Sequence, residues 1–290
     1  MNLKLTTMVA RNEALVGLNP TQQFDRIADL VWRSFPFKGF PDTMRGNQRI
    51  ARTLMRYLPL GSSILDFGSG TCSRSAFMSL CGYRVWACDD LCDYWHFQND
   101  NRTKIFEFAA QMGIDFLLIE PGREFPYQAG QFDLVMMNDV LEHLHDSPYE
   151  LLCRVLEWTK PGGLLLVVVP NAANLRKRAA MLVGLTNYPS FRDFFWHPTP
   201  WRGHVREYVL RDLKLLSRFM QLDVVELCDI HIWMNSRLES RVKRYLYLAI
   251  TSLIPLRDMR DSLLLLARKP PGWSRKQVED KRPTLTLSSW

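Results

Sequence analysis

Two acids flank a glycine turn at a telling spacing. In Ile64-Leu65-Asp66-Phe67-Gly68-Ser69-Gly70-Thr71-Cys72, Asp66 stands two positions before the first glycine, and Asp89 follows Gly68 by 21 positions. Small residues at the end of a strand let a ligand approach the backbone, and a helix that follows presents free N–H groups to it. A carboxylate at the end of the next strand suits the two hydroxyls of a ribose. The chemistry is that of a nucleotide-type pocket. A second block, Asn138-Asp139-Val140-Leu141-Glu142-His143-Leu144-His145, gathers acids and imidazoles. Histidines there can serve as bases near neutral pH. Asp139-x-x-Glu142-His143 also carries donors that suit a divalent ion, while the plainer reading is that Glu142 and His143 brace the following helix. With one cluster and no second ligand set evident, no metal is assigned. A dinucleotide-dependent oxidoreductase begins in a similar way, but its third glycine falls on Ser73, and it leaves Asp66 and the Asp139 block without a role.

These residues need a scaffold, and hydrophobic periodicity outlines one. A helix is predicted from Gln22 to Ser34, with Phe24, Ile27, Leu30 and Val31 on one face, and a second from Asn47 to Tyr57. Apolar runs at Ser63 to Phe67, Arg84 to Cys88, Phe116 to Ile119, Phe132 to Met137 and Leu164 to Val169 read as strands. Helices from Ser73 to Cys81 and Ser147 to Thr159 lie between some of them, and Lys160-Pro161-Gly162-Gly163 forms a turn. Runs apolar on both faces belong to parallel sheets covered by helices. A helix from Leu210 to Phe219 and strands Asp223 to Leu227 and Ser262 to Ala267 complete the set. The organisation expected is a helical region over 1–61, one α/β domain over 62–269, and a disordered polar tail over 270–290. Insertions at 171–208 and 230–260 interrupt the domain.

The ordered set resembles the class I S-adenosylmethionine-dependent methyltransferases, of the broad type that includes the ubiquinone-biosynthesis O-methyltransferases and enzymes of glycan and natural-product modification. The resemblance covers Ser62 to Pro170. It rests on Asp66-x-Gly68-x-Gly70, Asp89, Phe132-Asp133-Leu134-Val135 followed by Asn138 to Leu144, and Leu156 with Lys160-Pro161-Gly162-Gly163 before Leu164 to Pro170. It implies a Rossmann-like, seven-stranded, mostly parallel sheet with helices on both faces and a lid inserted after the fifth strand. It also implies that Asp66, Gly68 and Gly70 cradle the amino acid part of S-adenosylmethionine, that Asp89 holds the ribose, and that Asn138 lies beside the sulfonium. Ser69 and Asp90 join this donor set. Glu120 is nearest to the acid that meets the adenine amino group, although its spacing to Pro126 departs from the family pattern. Cys72 replaces the usual third glycine, so the turn must accept a side chain there or shift its backbone.

The acceptor is less legible. An alcohol or phenol gains from a nearby base, and His143, His204 and Asp139 are the catalytic candidates. The insertion 171–208 carries Arg176-Lys177-Arg178, an aromatic stretch from Phe191 to Trp196, and Trp201-Arg202-Gly203-His204-Val205-Arg206-Glu207-Tyr208. Placed over the crevice, it reads as a lid that excludes water. Relatives carry a similar His-x-Arg-x-Tyr run, which implies acceptor contacts for Arg206 and Tyr208, and Trp201 joins them. Aromatic rings stack on sugar faces and arginines meet acidic groups, so O-methylation of a glycan or other small molecule is expected ahead of protein or nucleic-acid acceptors. A fold that has lost catalysis and serves as a scaffold is the competing class, with Cys72 its only hint.

The formal charge of +7 over 290 residues is carried wholly by Asn174 to Arg260, where 15 Lys and Arg face 8 Asp and Glu. The stretch Arg237 to Leu256 alternates basic and apolar residues. It reads first as a core-covering helix, and second as a helix lying on an anionic membrane surface. Six cysteines without a CxxC pair, no signal peptide and no run near the length of a membrane span lead to the expectation of a cytoplasmic protein, with peripheral contact at the inner face of a membrane as a variant.

Overall fold

The computed structural model describes residues 19–38, 44–186, 188–232, 246–251 and 258–283. Helix α1 (Pro20–Ser34) is started by Asn19 and Gln22, each side chain accepting from the other's backbone N–H. Helix α2 (Met44–Leu54) follows, then strand β1 (Ser63–Phe67) and helix α3 (Ser73–Cys81). Phe24 of α1 stacks on Phe77 of α3 with centroids 6.1 Å apart. Both N-terminal helices share one buried core with α3 and β1, so from residue 19 onward they are part of the domain rather than a region of their own. Residues 1–18 lie outside the described chain.

The remaining elements alternate as the apolar runs require: β2 (Arg84–Asp89), α4 (Asn101–Gln111), β3 (Asp115–Leu118), β4 (Phe132–Asn138), α5 (Tyr149–Trp158), β5 (Thr159–Pro170), α6 (Leu175–Leu182), α7 (Phe191–Trp196), α8 (Leu210–Phe219), β6 (Asp223–Ile230) and β7 (Ser262–Arg268). They form a seven-stranded sheet in the order β3-β2-β1-β4-β5-β7-β6. β1 to β5 run parallel, and β7 is antiparallel to both β5 and β6. Side chains along a strand point alternately to the two faces. Leu164, Leu166 and Val168 therefore enter the core that α1, α2 and α3 cover, while Leu165, Val167 and Val169 enter the one under α5 and α8. The ladder of β5 extends back to Thr159, opposite Phe132, through a register shift, so the predicted turn at 160–163 lies within the strand's irregular start.

Polar ties fix the end of the sheet remote from the glycine turn. The Ser63 N–H and hydroxyl donate to Asp133 Oδ2 at 2.8 and 2.7 Å, and Lys160 Nζ donates to its Oδ1 at 2.7 Å. Burial pushes the Asp133 carboxyl up, but these bonds outweigh it and hold the group below its ordinary range. β1, β4 and β5 thus meet at one carboxylate.

Beyond β7 the expectation of disorder is corrected for residues 271–283. Ser274 caps a short helix, Arg275–Glu279, which buries Val278, and Trp273 Nε1 donates to the Met220 carbonyl at 2.8 Å. One apolar anchor and an indole hydrogen bond order a segment whose composition is polar. Residues 284–290 lie outside the described chain. Of the basic stretch 237–256, only 246–251 is described. It is helical, with Thr251 buried and its hydroxyl 3.1 Å from His231 Nε2, and Leu246 exposed. Among the described residues, no helix is long and apolar enough to cross a membrane.

Buried Lys269 donates from Nζ to the carbonyls of Leu156 and Thr159 at 2.6 and 2.7 Å, tying the end of β7 to the α5–β5 junction. Lys269→Met leaves both carbonyls without this donor. It is expected to lower the unfolding free energy by about 1–3 kcal/mol in urea denaturation.

Candidate active site

The strand order reverses between β1 and β4. The connection after β1 moves outward to β2, whereas the chain re-enters at β4 and moves the other way. The carboxyl ends of β1 and β4 therefore open into a crevice, the usual ligand position in such sheets. Its volume is about 510 Å3, and Asp66, Gly68, Ser69, Gly70, Asp89 and Asn138 lie along it.

Each backbone device in this turn has a local cause. Gly68 has φ +72°, and a Cβ there would stand 2.5 Å from Val140 Cγ2, so only glycine lets the β4 loop pass. Gly70, at φ +51°, faces open space, where a ligand can lie against the peptide. Cys72 caps α3 with φ 60° and ψ 11°, and its side chain is fully buried. The turn keeps the left-handed conformation that the missing glycine would favour, and the thiol fits inside. The strain belongs to a residue whose side chain turns inward, away from where a donor would lie, so Cys72 offers no support for a scaffold that has lost its ligand. Burial pushes its pKa up, and the thiol stays protonated.

Two acids bracket the turn. Asp66 is buried, accepts from Ser75 Oγ at 2.6 Å, and stands 3.5 Å from Asn138 Nδ2; burial raises its pKa. Asn138 Oδ1 is buried without a partner, as suits an acceptor aimed at an incoming donor group. Asp89 accepts from the N–H groups of Gly70 and Leu91 at 2.7 and 2.8 Å. Burial pushes its carboxyl up to about 6, against the lowering by these two amides. The carboxylate is thereby fixed in orientation at the end of β2, with lone pairs left for hydroxyls.

Other assigned residues take different places. Asp90 lines the crevice, but both its oxygens accept from Arg202 Nη2, at 2.8 and 2.9 Å, and Arg202 Nε donates to Asp93 at 3.0 Å. Asp90 thus holds the insertion rather than facing a ligand. Glu120 turns to solvent and pairs with Arg123 at 3.0 Å; its neighbour Ile119 lines the crevice instead. Arg206 is largely exposed and lies over the Tyr208 ring, while the buried Tyr208 hydroxyl donates to the Leu141 carbonyl at 3.3 Å. Both anchor the insertion, and Trp201 is the assigned acceptor residue that reaches the crevice. Residues 171 and 208 pair at the base of the insertion, so its two ends are pinched together.

On the acceptor side, His143 lines the crevice with Nδ1 2.8 Å from the Arg202 carbonyl oxygen. A carbonyl can only accept, so Nδ1 carries a proton, and in the neutral ring the lone pair is on Nε2. His145 is held in the same way through Nε2 by the Trp201 carbonyl at 2.8 Å. The His204 ring stands edge-on to His143 at 5.0 Å, with Nδ1 2.9 Å from Glu207 Oε1; Lys177 pairs with the other Glu207 oxygen. Glu142 is fully buried with neither carboxylate oxygen partnered, and burial together with the nearby Asp139 charge pushes its pKa well up. Asp139, at φ 57°, reaches Arg74 at 3.6 Å. Ligand atoms of Glu142, His143 and His204 lie within 4.8 Å of one another, a spacing a divalent ion could bridge. The sequence reading saw Glu142 and His143 but not that His204, some 60 positions on, closes the set.

Sequence reasoning also missed an aromatic wall. Trp32 and Phe35 from the end of α1, and Trp95 and His96 after β2, all line the crevice. None belongs to a motif. The amphipathic pattern of α1 and the aromatic run after Ser34 were the available signals, and they read as core.

Residues 43–227 match a family described as a methyltransferase domain. Solved structures share the fold at low identity. The phosphoethanolamine N-methyltransferase 2 of Haemonchus contortus, in complex with S-adenosyl-L-methionine, matches with a TM-score of 0.51 and 16% identity, over 87% of this chain and 58% of that one. A SAM-dependent methyltransferase from Aquifex aeolicus matches with a TM-score of 0.48 and 13% identity, over 87% of this chain and 99% of that chain. No curated protein sequence matches. Sheet order, glycine turn, the acid at the end of β2 and the domain match agree: the chain belongs to the class I S-adenosylmethionine-dependent methyltransferases.

Proposed function

We propose that this enzyme methylates a hydroxyl oxygen of a glycan or other small, ring-bearing molecule, with His143 as the general base. The observation that carries this reading is the His143–Arg202 hydrogen bond, which makes Nδ1 the donor and leaves Nε2 as the nitrogen on which the neutral ring of a crevice-lining imidazole can accept. Bound S-adenosylmethionine supplies an electrophilic methyl carbon with a neutral thioether as leaving group. Asp89 and Asn138 orient the donor, and the acceptor oxygen attacks in line as the C–S bond breaks. His143 Nε2 takes the hydroxyl proton, and His204, fixed by Glu207, stands behind it. Much of the rate in such a displacement comes from alignment. A base matters more for a hydroxyl than for an amine that is already neutral, which is why a tautomer-fixed imidazole favours oxygen.

The acceptor class rests on Trp32, Phe35, Trp95 and Trp201, whose rings can stack on a sugar or phenol face. Of the arginines near the crevice, Arg202 is committed to Asp90 and Asp93, Arg74 faces Asp139 and Asn47, and Arg206 lies outside.

Three outcomes are expected. Calorimetry with S-adenosylhomocysteine should show micromolar binding that Asp89→Ala weakens by about 10–100-fold, as loss of a charge-assisted hydrogen bond of about 1.5–3 kcal/mol implies. NADH serves as the control, and binding of NADH in its place would contradict the assignment. Affinity for the same ligand should decline as pH is lowered through about 6. The folded-state pKa of Asp89 is raised, so the carboxylate that accepts from ribose hydroxyls is complete only above that value and is protonated below it. In an S-adenosylhomocysteine-release assay with sugars, phenols and amines, hydroxyl acceptors should turn over, and His143→Ala should reduce kcat by about 10²–10⁴-fold with donor affinity retained. Turnover of amines alone, or an undiminished His143→Ala enzyme, would sink the oxygen assignment.

A further inference from the structure

The insertion carries an apolar surface that the chemistry above does not use. In α7 all six residues are exposed, including Phe191, Phe194, Phe195 and Trp196, the last at 77%. Leu182, at the end of α6, is 88% exposed, and Tyr188 lies between the two helices at 74%. Soluble surfaces scatter single apolar side chains, but a run this dense marks a contact surface. Water is a poor medium for it, and apart from the contact of Phe194 with Trp201 the described fold leaves it open.

Charge and ring chemistry identify what does. Arg176 on α6 and Arg192 on α7 are exposed and form no ion pair among the described residues. Asp193 is the only acid between Leu175 and His197, against four basic residues, and this segment lies within the stretch that carries the whole excess positive charge. Tryptophan and tyrosine prefer the boundary between hydrocarbon and water, phenylalanine and leucine enter just below it, and arginine stems lie along apolar surface while their guanidinium groups meet phosphates. A protein partner engages one face of a helix, whereas the exposed rings of α7 fall on successive positions, Phe194, Phe195 and Trp196, and so point in several directions. A fluid apolar medium can surround such a helix.

We propose that residues 175–197 dock this enzyme onto an anionic lipid bilayer, with the α7 aromatics in the headgroup layer and Arg176 and Arg192 on lipid phosphates. The docked face adjoins the crevice. The Phe194 ring packs edge-on against Trp201 with centroids 5.2 Å apart, and Trp201 lines the crevice, so the mouth opens toward the bilayer surface. This surface stands on its own geometry, whatever is methylated in the crevice.

The test is sedimentation of the full-length protein with large unilamellar vesicles of phosphatidylcholine alone, or of phosphatidylcholine and phosphatidylglycerol at roughly 7:3. Binding to the mixed vesicles is expected, weakened by about 0.5 M NaCl as screened charge requires. Phe191→Ser/Phe195→Ser/Trp196→Ser should reduce the partition about tenfold or more, since inserted apolar area sets it. Arg176→Glu/Arg192→Glu should abolish the preference for phosphatidylglycerol. Far-ultraviolet circular dichroism and thermal melts of the variants confirm folding, and they do not depend on donor binding, so failure of the methyl-transfer reading leaves this result interpretable. Absence of wild-type binding to either vesicle overturns the proposal, as does binding by the triple serine variant equal to wild type. A wild-type dimer that the triple variant dissociates, without vesicle binding, also overturns it and assigns the surface to a second copy of the chain.

Discussion

The pairing of β1 with β4 governs the molecule. Because these two parallel strands are neighbours in space but separated in the chain by α3, β2, α4 and β3, their connections leave in opposite directions and a gap opens between them. Everything with a chemical role gathers at that gap. Asp66 and the glycine turn come from β1, Asn138 and Asp139 from β4, and Asp89 from β2 one strand over. The Asp133 carboxylate, bound by Ser63 and Lys160, secures the opposite end of the same strands. The crevice is therefore a by-product of how the sheet must be wound, and the sequence needs only small residues and acids at the strand ends to make it selective.

What was legible in the sequence, and what was not, divides along chain distance. The donor turn is local: Asp66, Gly68 and Gly70 lie within five positions, and their backbone angles follow from one strand-to-helix turn. β1, β4 and β5 were legible because strands buried on both faces have little freedom in composition. The aromatic wall was not, since Trp32 and Trp95, 63 positions apart, are joined through Phe35 and Phe37 by packing that no spacing encodes. Glu120 was assigned as the acid nearest to where the family pattern expects one, but it lies in the loop after β3, where it pairs with Arg123 while Ile119 lines the crevice. Asp90 was diverted by a partner, Arg202, more than a hundred residues away. The short helix Arg275–Glu279 escaped notice because its order depends on Val278 and Trp273 finding a site on the finished fold.

The buried acids show how the site balances its charges. Asp66 and Glu142 are both buried with raised pKa values, while Arg74 stands between them, donating to Asn47 at 3.1 Å and reaching Asp139 at 3.6 Å. Desolvation outweighs the single guanidinium. A pocket with surplus acid and one shared cation is poised to receive positive charge, and the donor carries it on both its sulfonium and its amino group.

Arg202 has a consequence of another kind. Its guanidinium grips Asp90 and Asp93 on the loop that follows β2, while its carbonyl accepts from the His143 ring. Side chain and main chain of one residue thus join that loop to the imidazole that the proposed reaction uses as its base. Arg202 is a rivet through two walls of the crevice: its guanidinium fixes the position of the same backbone whose carbonyl orients the ring.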